Sequence, residues 1–278
     1  MCERLCNMSK SLLVTVPVYG QIEYTHALVG DLEQEKADYL IVDNKGDYEP
    51  IGDERVVTPG HNTGWAGGSN LGLRTAFVEG YDAAMTLNND VRLSHGYFDG
   101  LLDDRLPSDA GAVVGLYDDA GAHPALLADY EGPAENYTPR DAYRRLPAVD
   151  GTALLLTRDA FVATGGLDER SFGRFGWGAD LDLCMRLRAA GFGIYATERS
   201  FLNHFGRKTA DAVAGRRRYQ FFGGKEMARG LKKLYGNKWR NDVVTQRFEV
   251  RSLADHSVLR TETPRMVFKA DPVHAGAH

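Results

Sequence analysis

The sequence predicts an α/β fold in which a mixed, mostly parallel sheet is flanked by helices and followed by a small C-terminal extension. Two observations predict it. Short continuous apolar runs rich in β-branched residues alternate with helix-length segments over the first half of the chain, and polar clusters stand at the carboxyl ends of three of those runs. Continuous apolar runs suit strands buried on both faces. Their alternation with helices favours parallel strands with helices on either side. Ligands of such sheets sit at the carboxyl ends of the strands.

The first run, 12–18, is a buried strand ending near Pro17. A helix follows over 24–35, then a strand over 39–42 closed by Asp43 and Asn44, and a short strand over 56–58. A Gly/Asn-rich loop spans 59–68, and a helix over 70–79 stops at Gly80. The strand 83–87 runs into Asn88-Asn89-Asp90, and 118–145 reads as a surface excursion. A strand over 153–156, a short helix over 159–163, a helix over 181–190 and a strand over 192–196 come next. A basic, partly amphipathic helix covers 216–235, and 247–251 and 266–268 alternate as edge strands do. The expected domains are a loose tail (1–10), a main domain (11–210) and a C-terminal helix with short strands (211–278).

Composition narrows the function classes. Of 278 residues 43% are hydrophobic, and 33 Lys+Arg against 38 Asp+Glu leave a net charge of -5, which excludes wholesale disorder and argues against a nucleic-acid partner. The three cysteines, Cys2, Cys6 and Cys184, make no disulfide framework and read as reduced thiols of a cytoplasmic protein. No apolar run reaches the length of a transmembrane segment, and residues 1–10 lack a signal-peptide core.

Four clusters could carry chemistry. Asn88-Asn89-Asp90 holds a carboxylate at a strand end, suited to a hard cation or to a plain turn. The segment from His61 to Gly72 offers glycines at a helix entry, where backbone N–H groups attract anions. A helix cap at Ser69 or Asn70 explains it equally. In 176–187, Asp182 supports a helix start, while Asp180 beside Trp177 and two glycines can accept a proton from a bound hydroxyl. Trp177 can stack on a sugar face or fill a core. His204, with Arg207 and Lys208, can complete a metal and phosphate site or be structural.

In chain order the motifs are Val-Pro-Val-Tyr (16–19), Val-Asp-Asn (42–44), Asn-x-Gly-x-x-x-Gly-x-Asn-x-Gly (62–72) and Leu-Asn-Asn-Asp-Val (87–91). Gly-Gly-Leu-Asp-Glu (165–169) and Asp-Leu-Asp-Leu-Cys-Met-Arg-Leu (180–187) follow. Together they resemble the family 2 glycosyltransferases of the GT-A fold, in particular the rhamnosyltransferase-like branch, from about residue 12 to about residue 209.

The resemblance implies a nucleotide-sugar donor, UDP- or dTDP-linked, and a divalent cation, Mg²⁺ or Mn²⁺. Asp43 would contact the base, Pro17 and Tyr19 would line its pocket, and Asn44, Asn62, Gly64, Gly68, Asn70, Asn88 and Asn89 would help hold the donor. Asp90 and His204 would bind the cation, Arg207 and Lys208 would close over the diphosphate, Asp180 would be the general base of an inverting transfer, and Trp177 would meet the acceptor.

Two residues depart from the family pattern: Asn88 replaces the first carboxylate of the metal motif, and Ala179 replaces the Glu before the base. They keep open a non-catalytic nucleotide-sugar or carbohydrate-binding protein with a degenerate site. A sugar nucleotidyltransferase is disfavoured, because no Lys or Arg follows the first strand within 17–21. The acceptor stays open among saccharides, lipid-linked sugars, proteins and natural products. The C-terminal segment has three candidate tasks: docking acceptor, forming a homodimer contact, or capping the sheet.

Overall fold

The computed structural model describes residues 10–119, 123–173, 175–205 and 216–264, with backbone alone for 216–220. The elements run β1 (Leu12–Val18), α1 (Ile22–Gln34), β2 (Asp38–Asp43), β3 (Val56–Val57), α2 (Gly64–Glu79), β4 (Ala83–Leu87), β5 (Val91–Leu93), α3 (Tyr97–Leu101) and β6 (Ala110–Tyr117). They continue with β7 (Ala142–Arg145), β8 (Ala153–Thr157), α4 (Arg158–Thr164), α5 (Ala179–Ala189), β9 (Gly193–His204), α6 (Arg216–Tyr235), α7 (Arg240–Val243), β10 (Phe248–Ser252) and β11 (Val258–Glu262).

One 11-stranded sheet organises the chain, in the order β11-β10-β7-β9-β6-β8-β4-β1-β2-β3, with β5 paired to β9. The strands β1, β2, β3, β4, β6, β9 and β10 point one way and β5, β7, β8 and β11 the other, so the sheet is mixed and mostly parallel by direction. The carboxyl ends of β1, β2, β4, β6 and β9 therefore share one edge. The start of antiparallel β8 joins them there, because Ala153 pairs with Leu87. Leu13, Val14, Val16, Leu40, Ile41, Val42 and Met85 are buried in the core, as expected of central strands.

Three differences from the sequence reading have physical causes. Helix α2 starts at Gly64, well before residue 70. Its glycines are contact points with the sheet: a Cβ on Gly68 would lie 2.8 Å from Asn44 Nδ2, and one on Gly72 would lie 2.0 Å from Thr15 Oγ1. Close packing there offsets the roughly 0.5–1 kcal/mol that a helical glycine costs relative to alanine. Strand β6 escapes the reading because Gly111 and Gly115 break up its apolar run. A Cβ on Gly115 would come within 2.9 Å of the Ser200 carbonyl, so this glycine marks a close strand–strand approach. Strand β9 runs on to His204 because its polar residues Thr197, Glu198 and Ser200 are buried beside partners.

The C-terminal segment caps the sheet. Strand β10 pairs with β7 and β11 with β10, while Leu231, Trp239, Val243, Phe248 and Val250 join the main core. The alternating stretch at 266–268 and residues 1–9 lie outside the described residues.

Candidate functional site

The loops after β1, β2 and β4 build one side of the shared edge. Pro17 and Tyr19 are half-buried at the end of β1. Asp43 is buried, and its carboxylate accepts from the backbone N–H groups of Lys45 (3.0 Å), Gly46 (2.8 Å) and Tyr48 (2.9 Å). It shapes the turn after β2 and keeps about one acceptor position over. Exposed Asn62 accepts from Gly64 N–H at 2.8 Å, and Gly64 opens α2 at a φ of 71°.

Several residues expected at the donor make structural ties in this fold. Asn44 Oδ1 accepts from Thr63 N–H (3.0 Å) and Thr63 Oγ1 (2.6 Å), which fastens the loop before α2 to β2. Asn70 is 1% exposed; its amide donates to the Leu167 carbonyl and Glu169 Oε1 and accepts from Leu167 N–H. The Asn70 side chain thus holds the 165–169 turn and has no donor hydrogen left for a nucleotide. Asn89 is buried and donates to Thr25 Oγ1 at 2.9 Å, tying β4 to α1. Gly68 serves the helix–sheet contact described above.

Asn88 stays half-buried at the edge, where its Oδ1 accepts from Trp65 Nε1 at 3.1 Å. Sequence reasoning passed over Trp65. Its indole lies where a Cβ on Gly151 would be, 2.2 Å from Cη2, and it also flanks Gly176. The glycines around it, Gly151 and Gly176, were the available signal.

Asp180 stands in the first turn of α5, half-buried. Its Oδ2 accepts from Gly151 N–H at 3.0 Å and its Oδ1 from Leu181 N–H at 2.8 Å. Among the described residues no Lys or Arg pairs with it. Burial first, and then the Asp150 carboxylate, raise its pKa to about 6, while the two backbone N–H groups pull the other way. A carboxylate tuned in this manner is poised to take a proton near neutrality. Asp150, also missed from sequence, accepts from Thr152 N–H at 2.8 Å and leaves its buried Oδ2 without a hydrogen-bond partner. Tyr117 feels the same charge, its hydroxyl held well above the usual tyrosine range by burial and then by Asp150.

At the end of β9, His204 faces Asp90. Its Nε2 lies 3.5 Å from Asp90 Oδ1, its Nδ1 meets Asp119 Oδ2 at 3.1 Å, and its N–H donates to Asp118 Oδ1 at 2.9 Å. Burial would lower the ring's pKa, but its contacts with the Asp119 and Asp90 carboxylates outweigh it and raise it to about 10. The buried Nε2 makes no hydrogen bond. At neutral pH that nitrogen therefore carries a proton and is ion-paired with Asp90. A cation would have to displace the proton, after which Nε2 and Asp90 could ligate it with Asp119 supporting the ring from Nδ1. No group of three or more His, Cys, Asp or Glu among the described residues could hold a metal; ligands beyond Asp90 and His204 could be supplied by a bound anion or by water.

Trp177 packs on α6, where a Cβ on Gly223 would lie 2.8 Å from its Cδ2. Arg207 and Lys208 lie outside the described residues. A groove of about 1050 Å³ opens at the opposite strand ends, between Asp109, Tyr143, Tyr195 and Phe248. Several of its polar groups satisfy one another, as in Tyr195 to Asp109 and Tyr143 to His256, and none of the candidate site residues lines it.

No family model matches the chain. Uncharacterized protein Rv1525 of Mycobacterium tuberculosis and uncharacterized protein Mb1552 of Mycobacterium bovis are each 58% identical over 226 residues, covering 81% of this chain and 86% of theirs. Among solved structures, the mannosyltransferase PcManGT from Pyrobaculum calidifontis, in complex with GDP-Man and Mn²⁺, aligns with a TM-score of 0.58 at 13% identity over 83% of this chain and 66% of its own. GalNAc-T7 with UDP, GalNAc and Mn²⁺ aligns with a TM-score of 0.54 at 12% identity over 71% of this chain and 44% of its own. The fold is the GT-A fold of these glycosyltransferases.

Proposed function

We propose, for a chain that belongs to the family of the mycobacterial protein Rv1525 and has the GT-A fold, that it is an inverting glycosyltransferase. It would move a sugar from a nucleoside-diphosphate donor, UDP- or dTDP-linked, to an acceptor hydroxyl, in a cytoplasmic setting. The observation that carries this reading is Asp180: a half-buried carboxylate with a raised pKa, fixed by Gly151 and Leu181 N–H groups on the sheet edge that also bears Asp90 and His204.

In this reading Asp180 accepts the proton of the acceptor hydroxyl as that oxygen bonds to the anomeric carbon. The bond from that carbon to the diphosphate oxygen breaks on the opposite face, and its electrons leave with the nucleoside diphosphate. Asp180 needs no covalent bond to the sugar, and its two N–H donors keep the carboxylate aimed through the step. Asp150 keeps the carboxylate basic by repulsion. Trp65, pinned by Asn88, supplies a flat apolar surface of the kind sugars stack on. Pro17, Tyr19 and the remaining acceptor position of Asp43 face the base. Asp90 and His204 would hold Mg²⁺ or Mn²⁺, which when bound supplies positive charge against the growing charge of the leaving diphosphate.

A thermal-shift screen of UDP-, dTDP- and GDP-sugars with Mn²⁺ or Mg²⁺, followed by assay of released nucleoside diphosphate, tests the reading. Stabilisation by one donor with slow nucleotide release supports it. Stabilisation without release under any acceptor condition leaves a binding protein, and no stabilisation by any nucleotide sugar rejects it.

A further inference from the structure

Helix α6 presents two unlike faces. Its inner face packs on the protein: Gly223 meets Trp177, Gly230 meets Phe172, Leu231 is fully buried, and Tyr235 donates its hydroxyl to Asp182 Oδ1 at 2.5 Å. At 100° per residue, Phe221, Phe222, Lys225, Arg229, Lys232 and Lys233 fall within an outward sector of about 120°. All six are exposed, Phe221 by 66% and Phe222 by 42%, and the two rings touch edge to face at a centroid distance of 5.5 Å. The one acidic residue of 221–235, Glu226, is turned inward against Gly173. Among the described residues none of the four cations of this face enters an ion pair.

Two neighbouring exposed phenylalanines amid charge of a single sign call for a partner that takes both. On a chain of net charge -5 the face is a local reversal of sign. An anionic bilayer surface offers negative headgroups to the Lys and Arg side chains and an apolar layer just beneath them to the rings. A soluble polyanion would use the cations and leave the rings in water. We propose that this outward face of α6 is a docking surface for an anionic membrane. Trp177 lies against the inner face of the same helix, so docking would bring the α5 entrance, with Asp180, near the lipid surface. No described helix is long and apolar enough to cross a membrane, so the contact would be peripheral and reversible. The inference stands on this surface alone and does not need the reading of Asp180.

The test is sedimentation of the full chain with vesicles of phosphatidylcholine alone or mixed with phosphatidylglycerol, at low and high salt. The expected result is binding to the mixed vesicles only, weakened by salt. Phe221→Ser with Phe222→Ser should weaken it by about tenfold or more. Lys225→Glu with Lys232→Glu should weaken it by about fivefold or more for each charge. These side chains are exposed, so thermal unfolding of the variants should match the parent and confirm that they fold. Absence of binding to either vesicle would overturn the proposal. Equal binding to both vesicles, or binding to heparin at similar affinity with no loss in the phenylalanine variant, would overturn it too.

Discussion

Two carboxylates of this fold, one within a strand and one at a helix start, meet opposite fates. Glu198, in β9, is fully buried, and its Oε1 takes hydrogen bonds from Arg144 (3.1 and 2.9 Å) and Arg260 (2.7 Å). Burial pushes its pKa up, but the two guanidinium groups outweigh it and leave Glu198 below the usual range. Among the described residues Asp180 has only backbone N–H donors and a second carboxylate nearby, and its pKa goes up to about 6. Where the fold needs a buried acid for support it supplies cations. At Asp180 no described Lys or Arg pairs with the carboxylate, and that is where a reactive one is useful.

The largest expected effect is on turnover. Asp180→Asn should cut sugar transfer by about 10²–10⁴-fold while donor binding persists, read by nucleotide release beside calorimetry. A raised carboxylate pKa favours the fold at low pH and loses that contribution as pH rises through about 6. The same variant should therefore melt no lower than the parent at pH 8. Full activity would remove Asp180 from the chemistry.

Arg144→Met tests the opposite pole. It leaves Glu198 with Arg260 alone and should cost about 3 kcal/mol, near the low end for a broken buried pair, measured by urea unfolding. For Glu198, whose pKa is depressed, the sign reverses: its stabilisation is present above the usual Glu range and is lost as pH falls through the depressed value. An unchanged midpoint would mean that the pair contributes nothing net.

Asn70→Ala should destabilise by about 1–3 kcal/mol, because it orphans the buried Leu167 backbone groups. Donor affinity should hold. A lost affinity with intact stability would return Asn70 to the donor site.

The smallest effect sharpens the contrast most. Transfer should fall as pH drops through about 6, as Asp180 protonates. Asp150→Asn should move that limb to lower pH by up to about one unit, or about 1.4 kcal/mol, in a pH profile of kcat/KM. A limb that stays put would show that Asp150 has no hold on the base.

The strand carboxyl ends at Asp43 and Asp90 were legible because a local pattern, an apolar run closed by Asp or Asn, marks each of them, while Asp180 was marked by the glycines and Trp177 at a helix start. The asparagines were harder. Asn44, Asn70 and Asn89 carry the same groups whether they hold a ligand or the protein, and only the partner decides. For Asn70 that partner lies 97 residues away. Trp65, Asp119 and Asp150 were not legible for the same reason, since each acquires its meaning from a distant residue: Gly151, His204 and Asp180.

What the sequence alone determined is the alternation of strands and helices from β1 to β4, the polar ends of those strands and the glycine stop at Gly80. These follow from periodicity and backbone conformation, which act over a few residues. Only the tertiary structure decided the sheet order, the fusion of β10 and β11 to the main sheet, and the charge state of Asp180 and Glu198. Burial and Coulomb energy depend on which groups meet through space, and in this chain those groups come from segments tens of residues apart.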